Sequence, residues 1–206
     1  CHFSFDVKGE LNNDYVFVKA EYIHELADRV DRGEIVLPEN FTLLSHNSDI
    51  NFDASSLFPV LERFPTMKHW YAQNLIWGHP KVSPLPIGIA NPKWSHGNTD
   101  RFFKVVGESN QRDNLVYINF NKATNPHVRN YCARHVGEPS ASYPRLGSMQ
   151  DHHDFVNETQ EQHLRDMSKS YFTVSPNGNG VDCHKTWEAI YMRSVPIVTH
   201  SVMAET

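Results

Sequence analysis

The chain has 206 residues, of which 39% are hydrophobic and 21% are charged, and its formal net charge is −5. This composition is typical of a globular protein with one large domain or two small ones. The negative charge argues against a general nucleic-acid binder, and no apolar run approaches the roughly 18 residues that a membrane-spanning helix needs.

The first half of the chain alternates between predicted strands and helices, which is typical of a parallel sheet. Strands are predicted at residues 15–18, 41–44 and 68–74, and helices at residues 21–32 and 55–64. Residues 81–90 carry Pro84 and Pro86, and proline cannot donate to a central strand ladder. This segment is therefore predicted to be an edge strand or an extended connection.

A polar loop at residues 45–49 (SHNSD) follows the second predicted strand. Loops at the carboxyl ends of strands are where α/β proteins place their chemistry. Imidazole and carboxylate groups are both common proton acceptors in catalysis, so either His46 or Asp49 could act as a general base toward a substrate hydroxyl. A structural role stays open for both, such as acceptance of backbone amides by the Asp49 carboxylate.

A second α/β pattern follows a polar stretch at residues 91–112, which is predicted to be a linker with a short element at 102–106. Strands are predicted at residues 115–120, 171–175 and 196–199, and helices at residues 126–135, 154–168 and from 182 onward. Two lobes are therefore expected, at residues 1–100 and 113–206. Arg129 is predicted to be a surface charge on its helix, while Lys122 either reaches a phosphate or is a solvated lysine.

Residues 171–201 are the most informative stretch, because they combine a strand, a glycine loop at 175–180 (SPNGNG), a helix and a further strand. In such βαβ units ligands bind outside the carboxyl ends of the strands, and a helix N-terminus there suits a phosphate group. Lys185 in the first helical turn adds a full charge, and Glu188 lies one turn deeper on the same side. The alternative interpretation is an ordinary turn between a strand and a helix.

The three cysteines, Cys1, Cys132 and Cys183, are odd in number and widely spaced. This spacing predicts neither a disulfide framework nor a zinc site, and it favours a reducing, cytoplasmic location. Because the chain begins at Cys1, an upstream targeting segment stays open. Cys183 lies beside a helix N-terminus, where the pKa of a thiol tends to fall, but no base accompanies it and nucleophilic catalysis is not predicted.

Residues 175–190 (SPNGNGVDCHKTWEAI), followed by 195–198 (VPIV), form a combined motif. It resembles the donor-site signature of exostosin-type glycosyltransferases, in which a serine-proline-x-glycine loop precedes an arginine, a Glu-Ala pair, a small-residue turn and a proline-valine strand. Lys185 stands where that family usually has arginine, and Arg193-Ser194 occupies a turn where glycine is common. Residues 44–49, 70–74 and 86–91 are similar to a viral and microbial branch of these proteins, such as the small glycosyltransferases of large algal viruses.

The resemblance implies a GT-B architecture, with two Rossmann-like lobes that face each other across a cleft. The first lobe would hold the acceptor, and the second, short or truncated since the chain stops at Thr206, would hold a nucleoside-diphosphate sugar. Donor-binding roles are implied for residues of the glycine loop and the following helix, with one further candidate before it: Ser175, Gly178, Asn179, Gly180, Asp182, His184, Lys185, Glu188 and Lys122. No metal or cofactor is implied, because the helix dipole and basic residues would stabilise the leaving diphosphate.

Several of these donor-site residues have a second interpretation. The amides of Gly178, Asn179 and Gly180 would hold the diphosphate together with Lys185. Glu188 would bind the ribose hydroxyls, or it is a surface carboxylate of the helix. Asp182 either faces the sugar beside His184 or is the N-cap of the helix.

The function predicted from the sequence is metal-independent transfer of a sugar from a nucleoside-diphosphate sugar to a glycan hydroxyl. A UDP-sugar is favoured, with UDP-xylose as one candidate that rests on the resemblance alone. Inversion and retention both stay open, and only inversion requires His46 or Asp49 as a base. The alternatives are a non-catalytic sugar-nucleotide or glycan-binding module, and a metal-dependent hydrolase built on residues 151–154 (DHHD), although adjacent residues rarely point at one metal centre.

Overall fold

The computed structural model describes residues 15–108, 111–139 and 153–205. The chain divides into two compact units: the described residues up to Pro86, together with those from Ser201 onward, and Ile87–His200. Each unit is of the α/β class and is built on a parallel sheet, which is consistent with the predicted Rossmann-like arrangement. Within the described ranges no helix combines the length and the apolar character needed to cross a membrane.

The first unit is a four-stranded parallel sheet whose strands lie side by side in chain order. The strands are β1 (Tyr15–Lys19), β2 (Thr42–His46), β3 (His69–Ala72) and β4 (Val82–Pro84). Helix α1 (Ile23–Asp31) connects β1 to β2, and α2 (Ala54–Arg63) connects β2 to β3. The predicted alternation is therefore confirmed, and the strand that carries Pro84 is indeed an edge strand.

One apolar core holds the first unit together, with Leu43 of β2 and Trp70 of β3 at its centre. Trp70 is fully buried, and its indole Nε1 donates to Ser45 Oγ at 2.8 Å, so its polar edge is satisfied inside the core. Val202 and Met203 pack against the same core. The first unit thus takes residues from both sides of the second unit in the sequence.

The second unit has a three-stranded parallel sheet with β6 at its centre. The strands are β5 (Asn114–Ile118), β6 (Ser170–Val174) and β7 (Val195–Ile197). Its helices are α3 (Thr99–Gly107), α4 (Pro126–Val136), α5 (His153–Ser168) and α6 (His184–Tyr191). Because α6 connects β6 to the parallel strand β7, the βαβ unit predicted within residues 171–201 is confirmed.

The short element predicted at residues 102–106 is confirmed as part of helix α3, but the linker predicted at residues 91–112 is wrong, because this stretch belongs to the second unit. Phe102 and Val105 lie one turn apart on α3, and both are buried in the second core. The chain passes from the first unit to the second between Pro86 and Ile87.

A tight approach of backbone to backbone precedes α3 at the short 3-10 turn Ser95–Gly97. A Cβ atom at Gly97 would lie 2.5 Å from the carbonyl oxygen of Ala90 and closer still to that of Asn91. Real Cβ atoms do not come so near to a carbonyl oxygen, and these oxygens belong to rigid backbone. Only glycine fits at this position without a shift of the chain.

Candidate functional site

The candidate site lies at the carboxyl ends of β5 and β6. Parallel neighbours end at the same edge of a sheet, so the loop after β5 and the glycine loop after β6 lie close together. Asn125, the N-cap of α4, joins them: its side-chain Nδ2 donates to the carbonyl of Gly178 at 2.8 Å. The edge therefore presents two loops and two helix N-termini within one unit.

Arg129 is the cation at the centre of this edge. Its guanidinium donates to three backbone carbonyls, those of Asn177 at 3.0 Å, Asn121 at 2.8 Å and Pro176 at 3.4 Å. The residue is only 8% exposed, and among the described residues no carboxylate pairs with it. A buried charge that is solvated by carbonyl dipoles and a neutral thiol, with no described carboxylate beside it, leaves a positive potential, which favours an anion nearby.

The prediction that Arg129 is a surface charge is therefore wrong. Arg129 lies one turn into α4, and its side chain extends toward the glycine loop instead of toward solvent. Which face of α4 meets that loop depends on the pairing of β5 with β6, and no local pattern in the sequence reveals it. The only signal in the sequence is a basic residue shortly after an N-terminal proline, which is weak.

The glycine loop is held from inside by Cys183. The amide of Gly178 donates to Cys183 Sγ at 3.0 Å, and a Cβ at Gly178 would lie 3.3 Å from Arg129 Nη2. A ligand phosphate would have to replace the thiol at the Gly178 amide. Asn179 is exposed, while Gly180 is buried.

Burial raises the pKa of the Cys183 thiol, and the charge of Arg129 only partly opposes this effect. The lowering expected from the helix N-terminus is therefore not found, because desolvation of the thiolate is the larger effect. Cys183 is the N-cap residue of α6, and its side chain makes no capping hydrogen bond. Its thiol serves to fix the loop, and nucleophilic chemistry is not favoured.

Asp182 fastens the loop to the start of the second unit. Its Oδ2 accepts from the amide of Ile87 at 2.7 Å, and both carboxylate oxygens accept from Trp187 Nε1, at 2.9 and 3.1 Å. The N-cap interpretation of Asp182 is wrong, since Cys183 occupies that position. Burial raises the pKa of Asp182, although these hydrogen bonds oppose the rise.

Lys185 and Glu188 face the same partner, His163 of α5. His163 Nε2 lies 3.3 Å from Lys185 Nζ and 3.5 Å from Glu188 Oε2. Burial lowers the pKa of Lys185 to about 8, with the charge of Glu188 opposing the change. Burial alone would raise the pKa of Glu188, but the hydrogen bond of His163 and the charge of Lys185 outweigh it and lower that pKa to about 2.

His184 and Ser175 are also placed at this edge. His184 Nδ1 lies 2.8 Å from the carbonyl of Gly88, which can only accept, so Nδ1 carries the proton and Nε2 keeps its lone pair for another donor. Ser175 is buried, and its Oγ lies 2.9 Å from Thr186 Oγ1. Ser175 therefore ties the start of the loop to the first turn of α6, and no described geometry presents its hydroxyl to a ligand.

Lys122 is directed elsewhere. Its Nζ forms an ion pair at 2.7 Å with Glu138, and both side chains are well exposed. An exposed pair of this kind contributes little to stability and can exchange for solvent. The arrangement fits the solvated-lysine interpretation better than a direct contact with a phosphate.

The two candidate bases lie in the first unit, at and beyond the carboxyl end of β2. His46 Nε2 lies 3.0 Å from the carbonyl of Pro86, and Nδ1 lies 3.0 Å from Asn47 Oδ1. Because the carbonyl only accepts, Nε2 carries a proton and Nδ1 is the only ring nitrogen that could take another. Asp49 is exposed, as a general base that meets a substrate should be.

A buried polar node beside His46 has no counterpart in the sequence predictions. The carbonyl of Ser48 accepts from Gln73 Nε2 and from Asn74 Nδ2, each at 2.9 Å. Asn47 and Asn74 adopt positive φ values of 61° and 56°, which asparagine tolerates better than most residues. The node fixes the loop that carries His46 and Asp49 against the end of β3.

A metal centre is not evident in the part of the chain that the structure describes, where no three or more His, Cys, Asp or Glu side chains are arranged to hold an ion. The acidic and histidine cluster at residues 151–154 lies outside the described side chains. The hydrolase alternative built on that cluster therefore stays a prediction.

Because the amine of Lys185 is buried, the stability of the fold should vary with pH in the alkaline range. Its pKa is about 8 in the folded chain, against 10.5 for a solvated lysine, so between these values the unfolded chain binds more protons. The free energy of unfolding should therefore rise with pH across this window, by about 2–3 kcal/mol from this group. Urea titrations at pH 7.5 and pH 10 measure the change in wild type and in Lys185→Met. Between pH 7.5 and pH 10 the free energy of unfolding of the wild type should increase more than that of Lys185→Met. An equal change in both proteins would contradict the burial of the ammonium.

Comparisons with known proteins add no family to this description. No protein-family model matches the chain, and no curated protein is significantly similar to it. The likeness to exostosin-type glycosyltransferases therefore rests on the motif residues themselves.

Proposed function

We propose that the chain is a glycosyltransferase of the GT-B type that uses a nucleoside-diphosphate sugar. The observation that carries the proposal is the pair of cations at the carboxyl edge of β5 and β6. Arg129 is buried, and no carboxylate in the described part of the chain pairs with it, while Lys185 lies in the first turn of α6 beside the glycine loop. A diphosphate carries the opposite charge and accepts hydrogen bonds on every face, so it is the ligand that this edge suits best.

Glu188 supports a nucleotide sugar rather than a free phosphate. It lies one turn beyond Lys185 on α6, and its low pKa keeps it ionised at neutral pH. An ionised carboxylate is a strong acceptor for the two vicinal hydroxyls of a ribose. A carboxylate next to a site for phosphate alone would repel the ligand. A carboxylate that lies as far from the diphosphate as the ribose of a nucleotide does would instead contribute to binding.

The proposed reaction needs no metal or cofactor. The acceptor hydroxyl attacks the anomeric carbon, a new C–O bond forms, and the bond from that carbon to the diphosphate breaks. The diphosphate leaves with the electron pair and is stabilised by the cations and by the α6 N-terminus. In an inverting reaction the acceptor proton passes to Asp49 or to His46 Nδ1; a retaining reaction needs neither. The uracil base and xylose as donor sugar are part of this proposal and rest on the motif resemblance.

A non-catalytic sugar-nucleotide-binding module is the second candidate, and one observation favours it. His46 already directs both ring nitrogens at neighbouring groups, Nε2 at Pro86 and Nδ1 at Asn47, which limits it as a base. Such a module would bind the nucleotide through the same cations without turnover.

A thermal-shift screen against UDP, GDP and their sugars tests the proposal. We expect one nucleotide at millimolar concentration to raise Tm by several degrees, because a ligand at 100 times its Kd adds about 2.7 kcal/mol. Lys185→Met and Glu188→Gln should lose the shift, while Lys68→Met, an exposed lysine of the first unit, should retain it. Stabilisation by none of these compounds would contradict the proposal.

Release of free nucleotide from the stabilising sugar nucleotide separates the candidates. Release that requires a glycan acceptor and persists in EDTA supports transfer. Binding without release, whatever acceptor is supplied, supports the binding module. Hydrolysis that stops in EDTA supports the metal-dependent hydrolase.

A further inference from the structure

His96 lies on the short 3-10 turn Ser95–Gly97 of the second unit, next to the candidate site. The centroid of its ring lies 6.4 Å from that of His184, the first residue of α6. The carboxylate of Glu188 is also near, since its charge acts on the pKa of His96. His96 is far in the sequence from the motif at residues 175–198, so the motif resemblance assigns it no role.

The position of His96 is fixed by its backbone and by packing of its ring. Its carbonyl accepts from the side-chain amide of Gln160, a buried residue of α5. The next residue, Gly97, is packed tightly against the backbone carbonyl oxygens of residues 90–91. The ring of Trp94 stacks beside the imidazole, with centroids 6.5 Å apart and planes inclined by 23°. The imidazole is therefore oriented without a hydrogen bond to either ring nitrogen.

Three ring nitrogens in this cluster have no hydrogen-bond partner in the part of the chain that the structure describes. Two are Nδ1 and Nε2 of His96, and the third is Nε2 of His184, whose Nδ1 alone is engaged, by the carbonyl of Gly88. Both histidines are partly buried. Polar atoms that are shielded from water and lack a protein partner favour a ligand that supplies one.

The hydrogen-bonding groups of the cluster are mostly acceptors. Burial lowers the pKa of His96 despite the charge of Glu188, so near neutral pH its ring is neutral and offers one N–H and one lone pair. His184 Nε2 offers a lone pair, and the ionised carboxylate of Glu188 offers its oxygens. A phosphate at neutral pH has little to donate to these acceptors, whereas a hydroxyl both donates and accepts. The cluster therefore suits the vicinal hydroxyls of a sugar ring.

We propose that His96 and His184, together with Glu188, form a sugar-hydroxyl subsite of the candidate site, in which His96 is a specificity-determining residue. The proposal rests on the proposed function, which supplies the ligand, a nucleoside-diphosphate sugar. Two rings of such a donor carry vicinal hydroxyls, the ribose and the transferred sugar. Both offer the same chemistry to the imidazoles, and the experiment below distinguishes them.

The variants His96→Phe and His96→Ala remove both ring nitrogens in different ways. Phenylalanine keeps a flat ring against Trp94, whereas alanine leaves space, so an effect that both variants share comes from the lost nitrogens. His135→Phe is the matched control, because His135 is an exposed histidine in the last turn of α4 that also stacks on an aromatic neighbour, Tyr131. Far-UV circular dichroism and the Tm without ligand check that each variant is folded.

Calorimetric titrations with pyrophosphate, UDP and UDP-xylose measure the effect. Pyrophosphate has no sugar, so every variant should bind it as the wild type does. If the subsite holds the ribose, both His96 variants should bind UDP about tenfold more weakly, as loss of a hydrogen bond predicts. If it holds the transferred sugar, they should bind UDP normally and UDP-xylose about tenfold more weakly. His135→Phe should match the wild type throughout.

Titrations with 2′-deoxy-UDP and 3′-deoxy-UDP identify the ribose hydroxyl. The loss seen with UDP should disappear for the analogue that already lacks the hydroxyl in contact with His96. A loss that persists with both analogues would overturn the proposal, because it would assign His96 to the base.

Two further results would overturn the subsite and leave the proposed function intact. Unchanged affinity of both His96 variants for UDP and UDP-xylose would leave His96 as a solvated histidine. An equal loss for pyrophosphate would show a disturbed phosphate site instead of a lost hydroxyl contact. A wild type that binds none of these ligands would overturn the proposed function, and the subsite with it.

Discussion

Arg129→Met should weaken nucleotide binding strongly, whereas Arg134→Met, a change to an exposed arginine on the same helix, should leave binding unchanged. The methionine removes the buried positive charge and frees the three carbonyls of Asn121, Pro176 and Asn177 that the guanidinium holds. A charge-assisted contact to a phosphate contributes about 2–3 kcal/mol, so Kd should rise by at least about 30-fold. Calorimetric titration with the nucleotide found in the screen measures the change.

Arg129→Lys separates the charge of Arg129 from its geometry. Lysine keeps the charge but cannot bridge three carbonyls, because it lacks the planar fork of the guanidinium. Intermediate affinity would show that both matter, and a loss equal to that of the methionine variant would assign the effect to loop geometry. Far-UV circular dichroism and the Tm without ligand check that each variant is folded. Wild-type affinity in Arg129→Met would exclude Arg129 from the site.

Gly97→Ala should cost about 2–3 kcal/mol in the free energy of unfolding, as a methyl group forced against fixed backbone does. The new Cβ would collide with the carbonyl oxygens of Ala90 and Asn91, which cannot rotate away as a side chain would. Gly97 does not have a positive φ, so the cost would arise from contact alone. Urea unfolding, followed by fluorescence, measures it.

Gly107→Ala is the matched control for this substitution. Gly107 is the last residue of α3, and a Cβ there meets nothing within 4 Å. Alanine in a helix is favoured over glycine, so this variant should be as stable as wild type or more stable by about 0.5 kcal/mol. Equal destabilisation by both variants would contradict the close approach at Gly97.

The local parts of the fold were predictable because each depends on residues that lie close together in the sequence. The apolar run before Ser175, the two glycines after it and the helical pattern from Lys185 onward define a βαβ unit without reference to the rest of the chain. The same holds for the edge strand with Pro84. The linker error at residues 91–112 arose because the polar residues on either side of the short element predicted at 102–106 gave no sign that this element packs into the core of the second unit.

The central contacts of the candidate site were not predictable in the same way. Arg129 and His163 enter the site from α4 and α5, and their partners lie far away in the sequence. Both helices look polar, so periodicity does not single out these residues. The direction in which the pKa of Cys183 shifts was not predictable either. It depends on how deeply the thiol is buried, and burial is decided by packing.

The contribution of Val202 and Met203 to the first core has a consequence for the order of folding. A ribosome releases these residues only after the whole segment Ile87–His200 has been made. Until then the nascent first unit lacks part of its apolar cover, while all of the segment Ile87–His200 has already been synthesised. Closing a loop of this length is entropically costly, but it becomes much less so once the intervening segment is compact. We therefore expect the second unit to acquire protease resistance first during synthesis, which reverses the N-terminal-first order usual for multidomain chains.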